Sequence, residues 1–209
     1  MNKDSLLLYA VTDSMWLNGR KLKDDVEKAI LGGATMIQLR EKNLNDEEFI
    51  KLAFEVKEVC NKYNIPFIIN DNLNVFLAVD ADGIHVGQDD LDAKYVREKI
   101  GKDKILGVSA RNVNEAKKAI SDGADYLGVG AMFKTATKSD ALDVTIDELK
   151  NIVNLGCPVV IIGGININTI KMFKNTNIDG ISVVSAIFAQ NDIVDATKKL
   201  LEETKRCLK

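Results

Sequence analysis

Thr135, Thr137 and Lys138 place two hydroxyls and an ammonium within four residues, shortly after the apolar run 126–129. Donors at that density suit an anion, and a phosphorylated small molecule is the ligand they predict. An apolar run of this kind is best accommodated inside a parallel sheet, where active sites lie at the carboxyl ends of the strands. Taken alone, the same residues would also make an ordinary solvated loop.

Three further strand ends carry similar groups. In 36–42 the two-residue period of a strand puts Gln38, Arg40 and Lys42 on one face. An unpaired buried charge is costly, so two cations and an amide converging there imply water or an anionic partner such as phosphate. The runs 66–72 and 83–90 end in Asn70 with Asp71, and in Gln88 with Asp89 and Asp90. Carboxylates at two strand ends suit Mg²⁺, which is usually held by one or two carboxylates, waters and substrate phosphates. Each acidic pair could equally cap a following helix. Gly163 and Gly164 end another apolar run, where backbone N–H groups can approach a phosphate closely, and Ser185 follows the next run with a hydroxyl to donate. A Gly-Gly pair after a strand is also a common tight turn.

Eight short apolar runs would position these groups: 6–11, 35–39, 67–69, 83–86, 105–108, 126–129, 159–162 and 181–184. Segments of helical spacing lie between them, including 46–64, 113–121, 146–155 and 167–174, and the chain closes on 192–208. Such alternation implies parallel strands with crossover helices. Gly32-Gly33, Asp82-Gly83, Asp122-Gly123 and Asp179-Gly180 precede strands and are expected to stop helices, the glycine supplying a positive φ. Eight units point to a (β/α)₈ barrel, with an open doubly wound sheet as the competing geometry. Polar groups spread over many strand ends favour closure, because an open sheet gathers them at one switch point.

The 209 residues, 46% hydrophobic and 28% charged, are expected to form one barrel domain over 1–209. A net charge of -3 without a Lys/Arg block argues against nucleic acid as a partner. No apolar run is long enough for a membrane span and no secretory apolar segment follows Met1, so a cytoplasmic location is the default expectation. Cys60, Cys157 and Cys207 form an odd set without a C-x-x-C pair, which argues against a disulfide framework or structural zinc. His85, the one histidine, sits inside a strand and is expected to pack or hydrogen-bond rather than serve as a general base. An oligomer is possible, and no coiled-coil seam specifies one.

With Gln38-Leu-Arg-Glu-Lys42, Asn70-Asp71, His85 through Asp90, Gly107-Val-Ser109, Gly123-Ala-Asp-Tyr126 through Lys138, and Gly163-Gly-Ile165 in this order, the chain resembles thiamine phosphate synthases along nearly its full length. The resemblance implies a single-domain (β/α)₈ barrel that joins hydroxymethylpyrimidine pyrophosphate to hydroxyethylthiazole phosphate, releases pyrophosphate, and uses one Mg²⁺ per subunit. It further implies that Gln38, Arg40 and Lys42, with Leu39 and Glu41 in the same motif, hold the pyrimidine pyrophosphate together with Asn70. Ser109 and Lys138 complete that subsite, and Asp71 and Asp90 carry the metal. Thr135, Ala136 and Thr137 would face the thiazole phosphate with Gly164, Val184 and Ser185. Arg40, Lys42, Ser109 and Lys138 are the implied catalytic residues. Ala131 and Lys134 stand where that family often has proline. A thiazole tautomerase or a catalytically silent sensor of thiamine phosphate would share the fold, and the intact Arg40, Lys42, Asp71, Asp90 and Lys138 set disfavours the tautomerase.

Overall fold

The computed structural model describes residues 1–133 and 144–208. Eight strands, β1 (Leu8–Val11), β2 (Met36–Leu39), β3 (Phe67–Asn70), β4 (Gly83–Val86), β5 (Ile105–Ala110), β6 (Tyr126–Val129), β7 (Val159–Ile161) and β8 (Gly180–Val183), close into a barrel in sequence order. Every neighbouring pair is parallel, including β8 with β1, so the open sheet is excluded. Around them run α1 (Leu22–Leu31), α2 (Asp46–Lys62), α3 (Leu73–Val79), α4 (Ala93–Ile100), α5 (Val113–Ser121), α6 (Ile146–Val153), α7 (Ser185–Phe188) and α8 (Ile193–Leu208). Lys134, Thr135, Ala136, Thr137 and Lys138 lie outside the described residues.

The strands are short, three or four residues in seven of them and six in β5, as suits elements covered by helices outside and side chains inside. Alternation sends Leu39, Ile69, Leu127 and Ile161 outward into the layer shared with the helices. Tyr9, Met36, Ile68, Tyr126 and Val160 turn inward to form a second apolar cluster with Leu6 and the half-buried Ile105. The interior is therefore a packed core, closed below and polar towards the carboxyl ends of the strands.

The phrase that recurs before the strands has a structural use beyond stopping helices. Asp82, Asp125 and Asp179 accept from the backbone N–H groups of Phe67, Leu106 and Val159 at 2.8 Å each, and Thr35 accepts from Leu8 at 2.9 Å. Each clip fastens the start of one strand to the segment entering a neighbour, satisfying donors that the closed ladder leaves over. Gly33 and Gly123 do take positive φ, at 104° and 95°. Gly83 and Gly180 depart from expectation: the left-handed positions before their strands are Asp80 and Asn177. These two glycines are required by close approach instead, since a Cβ would lie 2.5 Å from the Ile105 carbonyl oxygen at position 83.

Residues 167–174, expected as a helix, form only a 3-10 turn at Ile170–Phe173. Asn166 Oδ1 accepts from the N–H groups of Asn168 and Thr169, and Thr169 Oγ1 accepts from Asn166. These local bonds compete with helical ones for the same backbone groups. Burial pushes the Cys60 thiol up to about 12 and the Cys157 thiol up to about 11, leaving little thiolate at neutral pH. Among the described residues no helix is long and apolar enough to cross a membrane.

Candidate active site

The strand period that placed Gln38, Arg40 and Lys42 on one face holds only as far as Gln38, because β2 ends at Leu39. Gln38 points into the barrel, whereas the two cations part beyond the strand. Arg40 Nη1 lies 3.1 Å from Asp13 Oδ2 in the loop after β1, and its backbone N–H donates to Thr12 Oγ1 at 3.0 Å. Lys42 Nζ lies 2.6 Å from Asp71 Oδ2 beyond β3. The side chain of Leu39 belongs to the outer core, which leaves its main chain as the part that can face a ligand. Glu41 accepts a short hydrogen bond from Ser14, and burial pushes its carboxyl above the usual range against that stabilising contact.

Asp71 has a φ of 59°, an uncommon conformation for a residue other than glycine. Its N–H donates to the His85 carbonyl at 2.9 Å, which fixes the turn and directs the carboxylate towards the β4 loop. Capping does not account for either acidic pair. Asn72 caps α3 through Val75 N–H and Asp92 caps α4 through Tyr95 N–H. Asp90 instead closes its own loop, Oδ2 accepting from Gly87 N–H at 2.9 Å, and a Cβ on Gly87 would lie 2.6 Å from that oxygen. Desolvation and the adjoining Asp71 carboxyl push the Asp90 carboxyl above the usual range. Two carboxyl groups held against each other in this way suit a hard dication, which relieves their repulsion. Among the described residues no group of three or more His, Cys, Asp or Glu side chains could hold a metal ion by itself, so a cation at Asp71 and Asp90 would need water or substrate oxygens as its remaining donors.

Inside the barrel mouth a hydrogen-bonded chain crosses from β2 to β5. Gln38 Nε2 lies 2.6 Å from the Tyr9 hydroxyl, which lies 2.9 Å from the Tyr126 hydroxyl. Tyr126 reaches His85 Nδ1 at 3.0 Å, and His85 Nε2 reaches Ser109 Oγ at 3.0 Å. His85 thus has the hydrogen-bonding role expected of it. Gln88 Nε2 donates to the Ser109 carbonyl at 2.6 Å and ties the β4 loop to the end of β5. A Cβ on Gly107 would lie 2.2 Å from Tyr126 Cζ and 2.4 Å from His85 Nδ1, so glycine there makes room for the Tyr126–His85 contact.

The sequence patterns assigned no role to Tyr9, Thr12, Asp13 or Tyr126, although Tyr126 stands within one of the motifs that carry the resemblance. Thr12 and Asp13 carried a legible signal, two polar residues directly after an apolar strand. The tyrosines carried none, since each sits within an apolar run where an aromatic ring is ordinary filling.

On the opposite side, Gly163 and Gly164 have φ of 94° and 68°. A Cβ at either would lie 2.6 Å from Ala131 Cβ or 2.7 Å from Phe133 Cβ respectively, so the pair lets the β7 loop lie directly on the β6 loop. Phe133 N–H donates to the Gly163 carbonyl at 3.2 Å across this seam. Val184 precedes α7 without a capping side-chain bond, and Ser185, exposed, begins it.

These strand-end loops occur in a chain whose relatives are readily found. The sequence profile of a family described as thiamine monophosphate synthase matches residues 8–187. A thiamine-phosphate synthase of Clostridium botulinum (strain Eklund 17B / Type B) is 54% identical over 97% of this chain and 95% of that protein. One of Clostridium tetani is 54% identical over 92% of this chain and 93% of that protein. The solved structure of a thiamine phosphate pyrophosphorylase from Pyrococcus furiosus superposes with a TM-score of 0.91 at 35% identity, covering 99% of both chains. A match of this extent spans the barrel from its first strand to α7, with every described site residue inside it, and the chain belongs to the thiamine monophosphate synthase family.

Proposed function

We infer that the chain is a transferase that makes thiamine phosphate, joining hydroxymethylpyrimidine pyrophosphate to hydroxyethylthiazole phosphate with release of pyrophosphate. The observation that carries this is 54% identity to a thiamine-phosphate synthase over 97% of the chain, with Gln38, Arg40, Lys42, Asn70, Asp71, Asp90 and Ser109 all brought to one end of one barrel.

The chemistry suits these residues. The amino group of the pyrimidine delocalises positive charge into the ring, so the bond from the methylene carbon to the pyrophosphate oxygen breaks through a carbocation-like transition state. The oxygen leaves with the electron pair, and the thiazole nitrogen supplies its lone pair to the same carbon, becoming a thiazolium. No protein nucleophile is consumed and no proton is transferred. The protein's work is to neutralise the departing pyrophosphate and to align nitrogen with carbon. Arg40, steadied by Asp13, and Lys42, steadied by Asp71, supply fixed positive charge at neighbouring strand ends. Lys138 would add a third cation and Ser109 a hydroxyl, while Asn70 and Gln38 orient the pyrimidine end. Asp71 and Asp90 would hold Mg²⁺, which when bound adds positive charge against the pyrophosphate oxygens. Thr135 and Thr137, with Gly164, Val184 and Ser185, would hold the thiazole phosphate.

Purified protein supplied with both substrates and Mg²⁺ is expected to form thiamine phosphate and pyrophosphate in equal amounts. Tight binding of thiamine phosphate without turnover would instead identify a sensor. The division of the site is tested by Thr135→Val, which removes a hydroxyl contact to phosphate worth about 1.5–3 kcal/mol. It is expected to raise KM for the thiazole phosphate about tenfold or more and to leave KM for the pyrimidine substrate nearly unchanged. Equal impairment towards both substrates would refute the division.

A further inference from the structure

The polar chain across the barrel mouth has a direction, and the direction follows from the groups at its ends. An amide nitrogen can only donate, so the Tyr9 oxygen, 2.6 Å from Gln38 Nε2, accepts. A phenol oxygen can accept two bonds, but a buried hydroxyl that leaves its own proton unpaired is costly. With Tyr9 accepting from Gln38, the arrangement that gives every proton along these contacts an acceptor passes the Tyr9 proton to Tyr126 and the Tyr126 proton to His85 Nδ1. An Nδ1 that accepts leaves the ring proton on Nε2, which donates to Ser109 Oγ. The Ser109 hydroxyl proton is thereby turned away from the chain.

We propose that Tyr9 and Tyr126 are positioning residues which, by fixing the Nε2–H tautomer of His85, hold the Ser109 hydroxyl as a hydrogen-bond donor towards an acceptor atom of the pyrimidine pyrophosphate substrate. The proposal rests on the assignment of Ser109 to that subsite. The setting favours a fixed direction. Tyr9 and Tyr126 are 1% and 0% exposed, so no bulk water competes for their hydroxyls. Burial pushes both phenols well above their ordinary range, which keeps one proton on each. The rings are fixed as well as the hydroxyls: Tyr9 meets Tyr126 edge-on with centroids 5.9 Å apart, and His85 lies 5.5 Å from Tyr126. Glycines at 107 and 128 line the imidazole, where a Cβ would come within 2.4 Å of Nδ1 or 2.9 Å of Cε1. The path joins β2, β1, β6, β4 and β5, so the amide of Gln38 governs a hydroxyl on the far side of the barrel mouth.

Because His85 is the one histidine of the chain, ¹⁵N-histidine labelling reports a single imidazole. The wild-type spectrum is expected to show a protonated Nε2 and an unprotonated, hydrogen-bonded Nδ1. Tyr126→Phe removes the donor to Nδ1 and is expected to yield an averaged tautomer, with KM for the pyrimidine substrate raised about tenfold and KM for the thiazole phosphate changed less than about twofold. Tyr9→Phe keeps both His85 contacts but removes the group that sets their direction, and a smaller shift of the same nitrogen signals is expected. An Nδ1–H tautomer in the wild type, a Tyr126→Phe spectrum with the wild-type tautomer, or equal KM changes for both substrates would each overturn the proposal. The spectra need no turnover, so they stand apart from failure of the assigned reaction, which the wild-type assay reveals.

Discussion

Protein stripped of divalent metal is expected to form no thiamine phosphate, and added Mg²⁺ is expected to restore turnover. In the same assay Asp71→Asn is expected to lower kcat/KM by about a hundredfold or more, ~2.7 kcal/mol of transition-state stabilisation. Asparagine is the informative replacement, because it tolerates the left-handed backbone found at Asp71, with φ of 59°, and so removes the charge without disturbing the turn. Folding should be almost indifferent. The lost ion pair with Lys42, whose side chain is 49% exposed, is worth about 0–1 kcal/mol, and relief of the repulsion with Asp90 acts in the opposite sense. A thermal midpoint within about 4 °C of wild type is therefore expected for the metal-free variant. Full activity after chelation, or an Asp71→Asn enzyme as fast as wild type, would remove the metal from this pair.

The largest loss of stability is expected from Gly180→Ala. A Cβ there would sit 1.8 Å from the Leu6 carbonyl oxygen and 2.8 Å from Leu7 Cα, backbone atoms that no rotamer change can move aside. The clash falls where β8 meets β1, beside the bond from Ile181 N–H to the Leu7 carbonyl, so relief requires opening the pair that closes the barrel. Overpacking of this kind costs about 3 kcal/mol, which corresponds to a fall in thermal midpoint of about 6–12 °C for a chain of this size. Denaturation followed by circular dichroism measures it, and a midpoint within about 2 °C of wild type would show that β8 can shift freely.

Much of the architecture was legible because its causes are local. An apolar run bounded by Gly, Asp or Asn makes a buried strand wherever it stands, and β4 and β6 occupy the expected residues, 83–86 and 126–129. The helix at 113–121 was equally plain, its Asn112 cap lying next to the apolar stripe. The segment 167–174 misled because its apolar spacing is helical, while Asn166 and Thr169 supply local bonds that spacing cannot register. The face assigned to Arg40 and Lys42 extended a strand period past the strand's last residue, where side-chain direction follows from ion-pair partners on neighbouring loops.

By itself the sequence determined which residues stand at strand ends: the Gln38 to Lys42 group, Asn70 with Asp71, Asp90, Ser109, and the glycine pair at 163 and 164. It determined the eightfold alternation as well, since residue type and two-residue period act over a few neighbours. Only the tertiary structure decided which of these groups meet. Tyr9 and Tyr126 are separated by 117 positions and Gln38 and Tyr9 by 29, and nothing in either neighbourhood distinguishes a tyrosine that fills space from one that carries a hydrogen bond. Their pairing follows from barrel closure, which brings inward-facing residues of β1, β2, β4, β5 and β6 to one level. There burial leaves the Tyr9 and Tyr126 hydroxyls no partner but another protein group, and that constraint links five separate side chains into one hydrogen-bonded chain.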